Sequence, residues 1–378
     1  MILSLIATLS LCLTTQTVQQ QYEQLPLSYI CIEVETGLVI TESNADLQRP
    51  PASMLKMMLM LLADEGVEAG KWTYDTPIQV SKFAQSMGGT QVYLAAGDVY
   101  PLEQMLMAMS VLSANDASVA VAETLFGSVP DCLEAMNTRA RELGMSQTHF
   151  TSVHGLPPSD RENFDLTSAR DMAILGRESL KIPHTLRRSS TKEYTLRPGT
   201  PARPSTNKLM DRMPGCDGLK TGYIRASGFC LTATAQKDDI RLIAVLMGSD
   251  REGRFNHTRD ILNECFDKVM RIQPVFSGMA IGKSIPVEKS LDEVVGLRAS
   301  KDITALIKKE DSEKLFLEIT APVALEAPVE QGTECGNVRL MLGDQILGIS
   351  PLYIDRSVER ARLIDRGLGC LGRKSQVR

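Results

Sequence analysis

Histidine is scarce in this chain. Only four stand among 378 residues, and none of the eight cysteines forms a C-x-x-C pair, so a zinc cluster is not expected. Positive charge is also in deficit. The formal net charge is −5, which leaves the chain as a whole without a nucleic-acid footprint. No internal repeat or low-complexity segment is present, and the apolar run Ile2–Leu13 is too short to span a bilayer. The first basic residue is Arg49, so this run lacks the usual basic flank of an export signal, and no small-x-small cleavage site stands out. It still has signal-peptide length, and the polar TTQTVQQQ follows at once. Export is therefore the expectation, with a buried N-terminal strand or helix as the alternative.

What is present fits a globular protein of more than one domain: 43% hydrophobic and 23% charged residues over 378 positions. The charge is uneven. From Arg356 to Arg378 seven Lys/Arg oppose two Asp/Glu, a net of +5, so the rest of the chain stands at −10. A basic tail on an acidic body suits either a membrane surface or a solvated end. Cysteine spacing fixes no disulfide pattern, and buried free thiols are the default at this size.

Two β-rich runs, Leu27–Glu35 and Leu38–Thr41, flank Thr36-Gly37 and predict a hairpin. Pro50-Pro51 then ends that segment, and Ser53 can open a helix that is apolar on every side and hence buried. Pro101–Leu112, Ala117–Phe126 and Asp131–Leu143 read as further helices, and Thr167-Ser168-Ala169-Arg170-Asp171 begins another with Thr167 as N-cap. Between them, Ser146–Leu166 reads as a long loop, and loops of that length in compact domains are often functional. Leu219–Ile224, Gly228–Ala235 and Arg241–Met247 predict three adjacent antiparallel strands, followed by a helix over Phe255–Met270. Strands at both ends of a helix-rich centre predict one α/β layer structure whose terminal strands share a sheet. After Gln273, short β-like runs such as Lys314–Ile319 and Val338–Leu342 predict a small all-β domain over Pro274–Asp355.

The chemistry centres on "PPASMLKMMLMLL", residues 50–62. Ser53 and Lys56 share one face of the predicted helix. Among Met, Leu and Ala, Lys56 is desolvated, which lowers its pKa and lets a neutral amine take the proton of a serine hydroxyl. The pair alone is a weak signal, because Ser189–Lys192 and Ser205–Lys208 share its spacing and a lysine snorkelling at a helix edge would look the same. Those two matches lie in polar, Pro/Thr-rich surroundings that would leave the lysine solvated.

Two further features add weight. Ser113-Ala114-Asn115 sits between two predicted helices, where a tight loop can aim a hydroxyl and an amide into one cleft; a helix cap is the alternative. Asp217-Gly218-Leu219-Lys220-Thr221-Gly222-Tyr223 opens a strand. There Lys220 would offer a fixed positive charge and Thr221 a hydroxyl, both suited to a carboxylate. Gly222 would leave room for a substrate backbone along the strand edge. S-x-x-K, S-x-N and K-T-G in this order form a pattern known from penicillin-binding proteins and β-lactamases.

The resemblance extends beyond those motifs. Ser113-Ala114-Asn115-Asp116-Ala117, the loop His149-Phe150-Thr151-Ser152-Val153-His154-Gly155-Leu156, Ser168-Ala169-Arg170-Asp171-Met172-Ala173 and Asp217–Tyr223 all resemble the serine-type D-alanyl-D-alanine carboxypeptidases, the low-molecular-mass penicillin-binding proteins. The likeness runs over Leu27–Met270, and Pro274–Asp355 resembles that family's C-terminal β domain.

The resemblance implies a penicillin-binding/β-lactamase-like transpeptidase fold, an antiparallel sheet with a helical subdomain, followed by a small β-sandwich. The expected division is a signal or signal-anchor segment over 1–21, a catalytic domain over 22–273, the β domain over 274–355 and a basic tail over 356–378. It implies removal of the terminal D-Ala from peptidoglycan stem peptides without metal or organic cofactor, covalent inhibition by β-lactams, and a cell-envelope or periplasmic location with a membrane-associating tail. Gly367, Gly369 and Gly372 weaken a continuous amphipathic helix in that tail.

Within that scheme Ser53 is the nucleophile, Lys56 its base and Ser113 a proton relay to the leaving amine. Asn115 would hold the substrate amide, Lys220 and Thr221 the terminal carboxylate, and the backbone N–H groups of Ser53 and Tyr223 the oxyanion. His154 receives no catalytic role, since a loop-ordering hydrogen bond accounts for it equally well. A DD-endopeptidase, a β-lactamase and a non-catalytic wall-binding protein are the alternatives. Ser146–Leu166 offers a β-lactamase only Glu162, and Met54-Leu55 is bulkier than the family's usual pair.

Overall fold

The computed structural model describes residues 17–291 and 294–361. The expected signal run and most of the basic tail lie outside the described residues. The chain forms two compact units, one through Phe266 and one from Asp267.

The first unit begins with a short helix, α1 (Val18–Glu23), capped by Thr17, whose hydroxyl accepts from Gln20 N while the Gln20 side chain returns the bond. The predicted hairpin follows as β1 (Ser28–Glu33) and β2 (Val39–Ser43), antiparallel. A 3₁₀ turn, Ala52–Leu55, runs directly into α2 (Lys56–Glu68). The α-helix proper therefore starts at Lys56, and Ser53 sits on the tighter turn before it. Then come β3 (Pro77–Gln79), α3 (Lys82–Gln85), β4 (Val99–Pro101), α4 (Leu102–Val111), α5 (Asn115–Phe126) and α6 (Val129–Glu142). Helix α5 starts two residues before the expected Ala117, which puts Asn115 in its first turn.

Residues 146–166 are the expected long loop, closed at its base by reciprocal backbone bonds between His149 and Leu166. The next helix, α7 (Ala169–Ser179), is capped by Ser168 rather than Thr167: Ser168 Oγ accepts from Asp171 N, while the Thr167 hydroxyl is bonded to Thr148. Short elements α8 (Pro183–Ser189), β5 (Glu193–Tyr194) and β6 (Arg203–Pro204) lead to three long strands. These are β7 (Cys216–Ile224), β8 (Gly228–Lys237) and β9 (Ile240–Ser249), followed by α9 (Gly253–Lys268).

The sheet order is β2-β1-β9-β8-β7, antiparallel throughout, so the terminal strands share a sheet as expected. Strand β7, which carries Lys220 and Thr221, is an edge of this sheet. One apolar core joins the sheet to α2 and α4–α7, with Met58, Leu59, Leu106, Met109 and Leu175 fully enclosed.

The second unit is all-β. Strands β10 (Val269–Val275) and β13 (Ile303–Lys308) pair, and a six-stranded sheet runs β14 (Leu315–Thr320), β16 (Glu334–Leu342), β17 (Gln345–Ile354), β12 (Val294–Ala299), β11 (Ala280–Glu288) and β15 (Leu325–Glu326) around Val295, Leu297, Val338, Leu340 and Ile354. The run after α9 is strand from Val269, so the expected helical reach to Met270 ends two residues early. Cys31, Cys132, Cys216, Cys230, Cys265 and Cys335 are all buried free thiols.

Candidate active site

The nucleophile candidate sits on a strained turn. Ala52 has φ 48°, in the left-handed region that costs a non-glycine residue about 1–3 kcal/mol and persists only where surroundings over-determine it. Those surroundings are visible. Ala52 packs with Phe164, Ile224 and Ala226, and Tyr22 of α1 lies edge-on to Phe164 at 5.7 Å between ring centroids. Gly155 in the long loop, itself at φ 78°, presses its bare Cα on the Ala52 carbonyl, where any Cβ would collide with backbone. Gly222 does the same from β7: a Cβ there would lie 2.6 Å from the Pro51 carbonyl oxygen and 3.1 Å from Met54 Cγ. Gly222 thus makes room for the turn that carries Ser53.

Met54 and Leu55, bulky for this position, are fully enclosed, and Thr232 on β8 bonds the Met54 sulfur at 3.4 Å. They anchor the turn in the core.

Lys56 is wholly buried, and its Nζ touches three oxygens: Ser53 Oγ at 2.8 Å, Asn115 Oδ1 at 2.8 Å and the His154 carbonyl at 2.6 Å. Burial, then the nearby charge of Lys220, pulls its pKa well below the usual lysine value, against opposing pulls from Asp165 and Asp116. The geometry decides what a neutral amine would do. The His154 carbonyl can only accept. Asn115 presents its oxygen, because its Nδ2 donates to the Gly88 carbonyl at 2.8 Å and this fixes the amide orientation. In the neutral amine two N–H bonds would go to those obligate acceptors, and the lone pair would face the Ser53 hydroxyl.

Asn115 therefore spends one lone pair and one N–H on Lys56 and Gly88, and has one of each left for a substrate. Ser113, also left-handed at φ 63°, accepts from Lys220 Nζ at 2.9 Å, which leaves its own proton available. Lys220 donates too to the Thr221 carbonyl at 3.1 Å, and Thr221 Oγ1 donates to Thr206 Oγ1 at 2.8 Å. The charge expected at Lys220 is opposed by its surroundings. Burial, then repulsion from Arg254, lowers its pKa to about 7. Tyr223 is half exposed and stacks on Phe229 at 4.0 Å.

The structure gathers the candidate residues around Ser53, the Ser113–Asn115 turn and strand β7. It also adds residues that the sequence pattern missed. Arg254, at the start of α9, lies over the rings of Phe229 and Phe255, and its Nε is buried with no hydrogen-bond partner among the described residues. No local pattern marks it; only the sheet topology brings α9 to Lys220.

His154 acts here through its carbonyl, while its ring Nδ1 accepts from Leu156 N. Burial, then Lys56, lowers the imidazole pKa to about 4, so the ring is neutral near pH 7. Asp165 orders the same loop by accepting from Thr151 N, Ser152 N and Ser152 Oγ. Of the other two S-x-x-K matches, Lys192 is exposed and paired with Asp211 at 3.0 Å, and Lys208 lies on a short 3₁₀ turn, Lys208–Asp211.

A serine hydrogen-bonded to a buried lysine, with a second hydroxyl and a second lysine on an edge strand, is an arrangement suited to acyl transfer in the manner of the penicillin-binding proteins. Comparison with known proteins narrows this class. Residues 14–251 match the family model of D-alanyl-D-alanine carboxypeptidases, peptidase family S11, and residues 272–360 match the C-terminal domain of penicillin-binding protein 5. The chain is 34% identical to the D-alanyl-D-alanine carboxypeptidase DacF of Bacillus subtilis, over 89% of this chain and 87% of the relative. It is 28% identical to DacA of Escherichia coli, over 86% and 82%. Among solved structures, penicillin-binding protein 5 of Haemophilus influenzae superposes with a TM-score of 0.68 at 26% identity, covering 88% of this chain and 97% of that one. The chain belongs to the D-alanyl-D-alanine carboxypeptidase family.

Proposed function

We propose that this protein removes the terminal D-alanine from peptidoglycan stem pentapeptides through an acyl-enzyme on Ser53. The observation that carries the reading is the three-point hold on Lys56 Nζ, which turns the amine lone pair to Ser53 Oγ. Lys56 takes the hydroxyl proton as Ser53 attacks the penultimate carbonyl. The N–H groups of Ser53 and Tyr223 receive the oxyanion, each worth about 3–4 kcal/mol when well aligned. Ser113 passes a proton to the departing D-alanine amine and is replenished by the proton that Lys56 took from Ser53; water then attacks the ester, its proton returns to Ser53 Oγ, and the shortened peptide leaves. Asn115 holds Lys56 and offers its remaining N–H to the peptide. The terminal carboxylate meets Lys220, Thr221 and the unpartnered edge of Arg254, a requirement that favours an exopeptidase.

A fluorescent penicillin tests the nucleophile. Wild type should label covalently and Ser53→Ala should not; equal labelling would sink the assignment. Mass spectrometry of a pentapeptide after incubation should show loss of one alanine. Cleavage of a cross-linked dimer instead would indicate an endopeptidase. The β-lactamase alternative has less support, because Glu162 lies exposed on the loop and the buried Asp165 carboxylate is committed to loop N–H and O–H groups. Export to the cell envelope and membrane association of the tail belong to the same proposal. No helix among the described residues is long and apolar enough to cross a membrane. Fractionation of cells expressing the full chain, with and without 356–378, tests the tail.

A further inference from the structure

The second unused S-x-x-K match, Ser205-Thr206-Asn207-Lys208, contributes to the cleft through its middle residues. Thr206 N donates to the Val111 carbonyl at the end of α4, two residues before Ser113. Asn207 Nδ2 donates to the Gly218 carbonyl on β7 at 3.0 Å, and Ser205 N to the Lys192 carbonyl at 2.7 Å. The segment is thus tied on three sides, and Thr206 Oγ1 is held 2.8 Å from Thr221 Oγ1.

A hydroxyl has one proton. In the described state Thr221 gives its proton to Thr206, so it cannot also donate to a ligand. We propose that Thr206 is a positioning residue that sets the direction of the Thr221 hydroxyl: when a terminal carboxylate arrives, the Thr221 proton turns to it and Thr206 donates in turn to Thr221 Oγ1. No bond to a heavy atom breaks; two O–H groups rotate, and the result is an O–H···O–H···carboxylate chain whose members polarise one another. The ligand class this favours is an anion at the end of the peptide, or the ring carboxylate of a β-lactam. The inference rests on the reading of Thr221 as a carboxylate ligand.

The test compares wild type, Thr206→Val, Thr206→Ser and Thr221→Val on a stem-type peptide ending in D-Ala-D-Ala and on the same peptide with a C-terminal amide. Thr206→Val should raise KM for the carboxylate peptide about 5–10-fold, the scale of one neutral hydrogen bond, leave kcat within about twofold, and shrink the carboxylate-over-amide preference in kcat/KM by the same factor. Thr206→Ser should restore both. An unchanged preference in Thr206→Val, or an equal loss on both peptides, overturns the inference. Thr221→Val separates the two layers. If it leaves the preference intact, the carboxylate role of Thr221 falls; if it abolishes the preference while Thr206→Val does not, only Thr206 falls.

Discussion

Lys56 and Lys220 are both enclosed by protein, and burial lowers the pKa of both, yet their partners differ. Lys56 meets two obligate acceptors and one hydroxyl, a set that suits a neutral amine with its lone pair on Ser53. Lys220 meets a hydroxyl and one carbonyl on an edge strand, beside Arg254, a set that becomes comfortable when an anion arrives. The lesson is that burial alone does not assign a role. The acceptor count around each Nζ does.

The largest effect that would break this contrast is at the first site. Lys56→Met should lower the penicillin acylation rate by about 10³-fold or more, near the upper range for loss of a general base, with a near-native circular dichroism spectrum. An acylation rate within tenfold of wild type would remove Lys56 from the chemistry. Lys220→Ala should cost about 10²-fold in kcat/KM, mostly in KM, as expected for one lost charged hydrogen-bond partner of a carboxylate. A pure kcat loss would instead give Lys220 a part in proton transfer.

pH sharpens the contrast further. Carboxylate binding needs protonated Lys220, which in the free enzyme is lost as pH rises through about 7. The kcat/KM profile should therefore fall above that pH, while its acid limb reports Lys56 gaining a proton. Bound carboxylate favours the charged form, so the basic limb of kcat should lie at higher pH than that of kcat/KM. Coincident basic limbs would mean that Lys220 does not titrate there. The smallest effect belongs to the unused matches: Lys192→Ala and Lys208→Ala should leave acylation within about twofold.

Much of the fold is legible in the residues, for identifiable reasons. Alternating runs in Leu219–Met247 and around Thr36-Gly37 specify strands, and the buried helix announces itself by lacking a polar face. The catalytic set was legible because its spacing is local. What was not legible depends on contacts between distant segments. Ala52 and Ser113 adopt left-handed backbones that neither residue type requests, and the Gly155 and Gly222 contacts explain the first only in three dimensions. The lowered pKa of Lys220 comes first from burial and then from Arg254, 34 positions downstream. The bulk of Met54-Leu55, odd on its face, is what seats the turn in the core.

The buried thiols carry one more consequence. Thiol–disulfide exchange proceeds through the thiolate and needs access to the sulfur. Burial raises the pKa of Cys31, Cys132, Cys216, Cys230 and Cys335, to about 12 for Cys132 and Cys216. The folded chain therefore offers an oxidant almost nothing to attack at these five positions. In the folded state, exchange at any of them would first require the surrounding structure to open.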